Sequence, residues 1–167
     1  MLDGLKQVWN RLFPWQLDWL QVEVSARCNA RCAYCPLTCY RDIWQGGLME
    51  RATFAQLEPA FSHVNLVFLQ GWGEPLLHPD FWNMVASVKR AGARAGFATN
   101  GTLLTEQNRT KLLASQLDVM AVSLAGARAT TQERLRRGCT LTDIDSGLEA
   151  LKTEKQVSRQ KEPAVHI

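Results

Sequence analysis

Short runs of strand-forming residues recur along the chain and limit its fold more than any other feature. Residues 65–70, 94–99 and 118–124 are near-continuous apolar runs, as expected of strands buried on both faces of a sheet. Residues 21–26 alternate with a period of two, and residues 164–167 begin a fifth run. We therefore predict five strands, the last one lying at the end of the chain.

Helical patterns fill the intervals between these runs. One helix is predicted after Pro79, with Phe81 and Met84 among its buried residues, and another after Thr105, which can cap it. Thr53 is a further predicted cap. Strands that alternate with helices form parallel βα units with right-handed crossovers, so the predicted fold class is α/β. Such sheets carry their chemistry on loops at the carboxyl ends of the strands.

Length and composition exclude several classes of protein. The chain has 167 residues, with 46% hydrophobic and 21% charged, which fits one folded domain rather than a disordered tail or a coiled coil. A net charge of +3 is too small to argue for nucleic acid, and no apolar run approaches membrane-spanning length. The start lacks a convincing signal peptide, so a cytoplasmic protein is expected. We predict a Trp-rich lead at 1–20, packed as a cap, and a core domain at 21–167.

Three cysteines lie close together after the first predicted strand. Cys28, Cys32 and Cys35 have the spacing C-x3-C-x2-C in one tight loop. Thiolates ligate iron–sulfur clusters, and three cysteines would leave one iron of a [4Fe–4S] cluster open. With Cys39 as a fourth ligand the same loop could hold zinc or a closed cluster. Cys39 and Cys139 otherwise stand alone, as small isolated thiols.

Polar residues also follow the next three predicted strands. Gly73 and Glu74 end the second, Thr99 and Asn100 the third, and Ser123 the fourth. Each motif in isolation is an ordinary turn or strand-end cap. Together they fall at one edge of a parallel sheet, where a ligand would bind.

The cysteine run, with Tyr34 before its last cysteine, resembles the signature of the radical S-adenosylmethionine (SAM) superfamily. The segment Gly-Trp-Gly-Glu-Pro at 71–75 resembles the family's Gly-Gly-Glu-Pro motif, although Trp72 replaces the first glycine. The resemblance covers residues 21–167 and implies a partial TIM barrel, of which about four and a half βα units are present. The end of the barrel is expected to be missing.

The resemblance also implies a role for each residue of the motifs. The three cysteines of the loop would ligate a [4Fe–4S] cluster, and Tyr34 would lie near the adenine of SAM. Gly73 and Glu74 would bind the methionine amino group. The methionine carboxylate and the ribose would be bound by the strand-end residues Thr99, Asn100 and Ser123.

By the same resemblance, the cluster reductively cleaves SAM to a 5′-deoxyadenosyl radical that abstracts hydrogen from a substrate. The electron would come from a reductant such as flavodoxin or ferredoxin. The sequence looks most like the branch with SPASM-type C-terminal extensions, whose substrates are peptides or small molecules such as cofactors under maturation. There are two alternatives: a zinc or iron–sulfur binding or electron-transfer module without SAM chemistry, and an inactive fragment. The arginines of the run at 134–137 could meet an anionic group, but the run is interpreted as a solvated helix face.

Overall fold

The computed structural model describes residues 17–167. The strands are β1 (Leu17–Gln21), β2 (Arg31–Cys32), β3 (Val64–Phe68), β4 (Arg94–Thr99), β5 (Val119–Val122), β6 (Arg136–Arg137) and β7 (Ala164–His166). The helices are α1 (Pro36–Cys39), α2 (Arg51–Phe61), α3 (Phe81–Arg90), α4 (Glu106–Ala114), α5 (Ala129–Leu135) and α6 (Leu141–Ser158), and a 3₁₀ turn covers Pro75–Leu77. Part of the predicted N-terminal lead, residues 1–16, lies outside the described residues.

Five strands form one sheet in the order β1-β3-β4-β5-β7, and every neighbouring pair is parallel. At least one helix lies between consecutive strands of this sheet, so the predicted parallel α/β architecture is confirmed. The strands run in sequence order across the sheet, as in a barrel wall rather than a doubly wound sheet. All of their carboxyl ends therefore meet at one edge.

The first strand lies earlier than the sequence indicated. Alternation predicted a strand at 21–26, whereas β1 pairs with β3 over Leu17–Gln21 and leaves the sheet after one more hydrogen bond, from Val22 N to Phe68 O (3.0 Å). Val22 and Val24 are nevertheless buried. The alternation thus reports burial of the segment that leads to the cysteines, not sheet pairing.

Two predicted helix caps had different outcomes. Thr105 caps α4 as expected, with its side chain accepting a hydrogen bond from Asn108 N. Thr53 does not cap α2, because that helix begins at Arg51 with Glu50 at its N-cap position.

The core lies between the sheet and the helices that cover it. Phe81 of α3 packs edge-on against Phe97 of β4, with ring centroids 4.9 Å apart. Asp118, just before β5, accepts hydrogen bonds from Ala95 N (2.7 Å) and Lys89 Nζ (2.6 Å), which joins α3, β4 and β5. These contacts hold the strands whose ends form the site. Among the described residues, no helix is both long and apolar enough to cross a membrane.

Candidate active site

A cavity of about 300 Å³ opens at the carboxyl edge of the sheet. That volume is at the small end of the range for ligand pockets. Every site residue predicted from the sequence lines it: Cys28, Cys32, Tyr34, Cys35, Gly73, Glu74, Thr99, Asn100 and Ser123. The βα topology is what collects these residues, since they come from loops that follow four different strands in the sequence.

The cysteine loop is tied to the end of β4. Cys28 Sγ accepts a hydrogen bond from Ala30 N (3.4 Å) and a longer one from Asn100 Nδ2 (3.8 Å). The same Asn100 amide donates to Asn29 Oδ1 (2.8 Å). Asn100 therefore orients the loop that carries the first cysteine, and this role does not depend on a bound ligand.

The thiols of Cys28 and Cys32 differ in their surroundings. Burial is the largest effect on Cys28 and raises its pKa. Cys32 is buried, yet a hydrogen bond from the Cys139 thiol lowers its pKa to about 6, helped by the nearby positive charge of Arg136. The pKa of Cys139 moves the other way, upward, chiefly because of the same hydrogen bond. A lowered pKa favours the thiolate form of Cys32, which is the form that binds iron.

Glu74 is buried and fully engaged by the chain. One carboxylate oxygen accepts from Thr99 Oγ1 (2.8 Å) and Leu76 N (3.3 Å), and the other accepts from Asn100 N (2.7 Å). Desolvation by burial still raises the pKa of Glu74, because these donors only partly offset it. A buried carboxylate of this kind is stabilised by a cation, so it suits an ammonium group that enters the cavity.

Gly73 lies against the backbone of the segment that leads into the cysteines. A Cβ atom at this position would be 2.1 Å from Ser25 O and 2.6 Å from Arg27 O. The next residue donates from Glu74 N to Arg27 O (2.8 Å). Glycine is therefore required for the two loops to pack together, independently of any ligand.

Arg136 is a site residue that the sequence analysis does not select. The preferred interpretation of the run at 134–137, a solvated helix face, is wrong for Arg136, because α5 ends at Leu135 and Arg136 pairs with Cys32 in a two-stranded antiparallel ribbon. Its Nη1 donates to Tyr34 Oη (3.0 Å), and its Nε is buried without a hydrogen-bond partner. The side chain also lines the cavity, where it supplies positive charge.

The cysteines fit an iron–sulfur cluster in their chemistry and placement. Cys28, Cys32 and Cys35 border the cavity, whereas Cys39 is exposed, donates to Ala33 O (3.6 Å) and lies outside the cavity lining. In the described part of the chain, no three His, Cys, Asp or Glu side chains already surround a common point. What the three cysteines share is the lining of one cavity.

Comparison with known proteins supports the same interpretation. A protein from Pyrococcus furiosus, the tungsten-containing aldehyde ferredoxin oxidoreductase cofactor-modifying protein, is 31% identical over 155 residues, which are 90% of this chain and 41% of that protein. An AdoMet-dependent heme synthase from Methanosarcina barkeri is 31% identical over 126 residues, 75% of this chain and 34% of that protein. The chain thus spans less than half the length of these curated relatives.

The fold is shared with SuiB of Streptococcus suis, whose structure was solved bound to S-adenosylmethionine. The TM-score is 0.69 at 17% identity, over 87% of this chain and 34% of SuiB. The model of the family described as Radical SAM superfamily matches residues 22–157, which include the cysteine loop and every other lining residue of the cavity. The chain therefore belongs to the radical SAM superfamily.

Proposed function

We propose that the chain is the catalytic domain of a radical SAM enzyme, with a [4Fe–4S] cluster held by Cys28, Cys32 and Cys35. The observation that carries this proposal is the convergence of all the predicted cluster and SAM residues on one cavity. A closed metal site that includes Cys39 has less support, because Cys39 is exposed and lies outside the cavity lining. Such a site would also leave Glu74 and Ser123 without a role.

The residues of the cavity divide between the two ends of a bound SAM methionine. The buried carboxylate of Glu74 would accept the amino group as its counter-charge. Arg136 lines the same cavity with a buried Nε that has no partner, so it offers a charged donor to the carboxylate group. Tyr34 lies beside Arg136 and is exposed at the rim, where it can contact the adenine.

When bound, a cluster held by Cys28, Cys32 and Cys35 would supply the one-electron reduction needed to cleave SAM. The chain orients SAM for this step and limits the access of water to the buried part of the cavity. Thr99 and Asn100 contribute by fixing the carboxylate of Glu74. Ser123 is placed at the adjacent strand end, half-buried in the cavity wall, where it can donate to the carboxylate or the ribose.

The substrate is proposed to be a cofactor under maturation. The two relatives that are 31% identical are both named for chemistry on a cofactor, which favours this class over a peptide. The reductant is proposed to be an acidic electron carrier such as flavodoxin or ferredoxin, since Arg27, Arg31 and Arg137 are exposed near the cysteine loop. A reducing cytoplasm would keep the cysteines as thiols.

Anaerobic reconstitution followed by a SAM cleavage assay tests this proposal. We expect iron and sulfide near ~4 each per chain, from the stoichiometry of the cluster, and 5′-deoxyadenosine that forms only with a reductant. Cys32→Ala should abolish both the full cluster and the product, whereas Cys39→Ala, the matched control, should keep both. Normal SAM cleavage by Cys32→Ala would overturn the assignment. Loss of the cluster in Cys39→Ala would favour the closed metal site.

A further inference from the structure

One wall of the active-site cavity is formed by residues 70–74, here named the 70–74 loop, and all five of these residues line it. The last of them, Glu74, carries the buried carboxylate that would accept the methionine amino group. Gly71 and Gly73 have more backbone conformations available than any other residue type. The shape of this wall therefore depends on contacts that restrain the loop from its other side.

On that other side the loop lies against residues 22–27, the segment that leads to the cysteines. At the end of the loop the contact is made by the backbone, where Glu74 N donates to Arg27 O (2.8 Å). In the middle of the loop it is made by a side chain, since Glu23 Oε1 accepts a hydrogen bond from Trp72 N (2.6 Å). Glu23 is not among the residues that line the cavity, so it holds the loop from behind.

The carboxylate of Glu23 is directed to this backbone amide rather than to a charged side chain. Alternation along the segment buries Val22 and Val24 and leaves Glu23 exposed on the opposite face. Within residues 17–167, no Lys, Arg or His side chain forms an ion pair with Glu23. A short bond from an amide to a carboxylate is charge-assisted and belongs to the stronger hydrogen bonds of proteins.

Gly71 leaves free the space that the Glu23 side chain occupies. A Cβ atom at Gly71 would overlap Cγ and the carboxyl group of Glu23. Those atoms belong to a flexible side chain, so a side chain at position 71 would displace the carboxylate from Trp72 N and leave the backbone in place. The bond from Trp72 N to Glu23 thus depends on glycine at position 71.

We propose that Glu23 is a positioning residue for SAM, whose carboxylate holds Trp72 N and so fixes the 70–74 loop in the shape that receives the methionine amino group. The proposal rests on the proposed function, because it needs SAM in this cavity. A loop that is already ordered loses less conformational freedom when a ligand binds, so this restraint strengthens binding. Glu23 lies outside the cavity lining and is assigned no contact with SAM.

The main test measures SAM binding to anaerobically reconstituted variants by calorimetry, without a reductant. Glu23→Leu removes the acceptor at a similar side-chain size, and Glu23→Gln removes the charge but keeps a carbonyl acceptor. Gly71→Ala displaces the carboxylate without removing it. Glu58→Leu, which replaces a carboxylate of α2 outside the cavity lining, is the control for losing a charge elsewhere. Iron content reports loading, and we expect every variant to load a cluster as the wild type does.

Glu23→Leu and Gly71→Ala should each bind SAM about tenfold more weakly, the loss expected for one charge-assisted hydrogen bond. Glu23→Gln should recover most of the affinity, and Glu58→Leu should match the wild type. When Glu23→Leu and Gly71→Ala are combined, the two losses should not add, because both remove the same bond. Wild-type affinity in Glu23→Leu would overturn the proposal, and so would a Glu23→Gln variant that binds as weakly as Glu23→Leu.

Hydrogen exchange in the unaltered, reconstituted chain is a second measurement that depends on no variant. Trp72 is 56% exposed, so a free amide at this position would exchange quickly. The bond to Glu23 predicts slow exchange, which mass spectrometry with residue-level fragmentation can measure. Fast exchange at Trp72 would contradict the proposal. A wild-type chain that binds no SAM would refute the proposed function as well, whereas equal SAM affinity with and without the Glu23 carboxylate and its acceptor would refute the role of Glu23 alone.

Discussion

Replacing Gly73 by alanine tests whether the cysteine loop is held by backbone packing. The added Cβ would lie 2.1 Å from Ser25 O and 2.6 Å from Arg27 O. A carbon–oxygen contact ordinarily needs about 3.3 Å. Both neighbouring atoms belong to the backbone, so neither can move away by a change of rotamer. We therefore expect the two loops to separate, with loss of the bond from Glu74 N to Arg27 O.

The expected magnitude follows from three contributions. Overpacking of this kind costs about 1–3 kcal/mol. The lost hydrogen bond costs about 0.5–1.5 kcal/mol. Alanine restricts the unfolded chain and returns about 0.4–1 kcal/mol. The free energy of unfolding should therefore fall by roughly 0.5–4 kcal/mol, against the ~5–15 kcal/mol typical of a domain.

Urea denaturation of the metal-free chain, followed by circular dichroism, measures this change. Gly47→Ala is the matched control, because a Cβ there meets nothing within 4 Å and the change tests only the entropy of the unfolded chain. That control should be neutral or slightly stabilising. If Gly73→Ala unfolds within about 0.5 kcal/mol of Gly47→Ala, the range of an ordinary surface substitution, the argument for obligatory packing at Gly73 is refuted.

Three further substitutions have defined outcomes. Burial raises the pKa of Glu74, so the metal-free chain should lose stability as pH rises above the ordinary carboxyl value of 4.5. Glu74→Gln should flatten this loss when urea midpoints are measured from acidic to neutral pH. If the midpoint of Glu74→Gln depends on pH as steeply as that of the wild type, buried Glu74 is not the cause of the loss. Thr99→Val removes the hydroxyl that donates to Glu74. It should lower the free energy of unfolding by about 1–3 kcal/mol in urea and weaken SAM binding measured by calorimetry. Asp118→Asn breaks the ion pair with Lys89 but keeps an acceptor for Ala95 N. It should lower the free energy of unfolding by about 1 kcal/mol in urea and leave SAM affinity unchanged.

The parts of the fold that local sequence decides were predictable. The run Arg94–Thr99 coincides with β4 because both its faces are covered, so nearly every position is apolar. Thr105 caps α4 through a bond to a residue three positions away, a contact that a short motif can encode. β1 was misplaced because most of its residues are exposed at the edge of the sheet, where the hydrophobic pattern is weak.

The candidate site was predictable in its members but not in its internal connections. The motifs identified the lining residues because parallel βα topology brings all strand ends to one edge. The ribbon of β2 and β6 has two residues in each strand, too few to leave a periodic pattern. The placement of Arg136 and Cys139 beside Cys32 depends on that ribbon, so both residues looked incidental in the sequence.

The same ribbon imposes an order on biosynthesis. Tyr34 and its partner Arg136 are 102 positions apart in the chain. At a synthesis rate of 5–20 residues per second, the cysteine loop would wait roughly 5–20 s on the ribosome before its partner strand exists. During that interval Cys32, which is buried in the folded domain, has no partner strand beside it, so oxidants and competing metal ions have their best access to its thiol before the domain is complete.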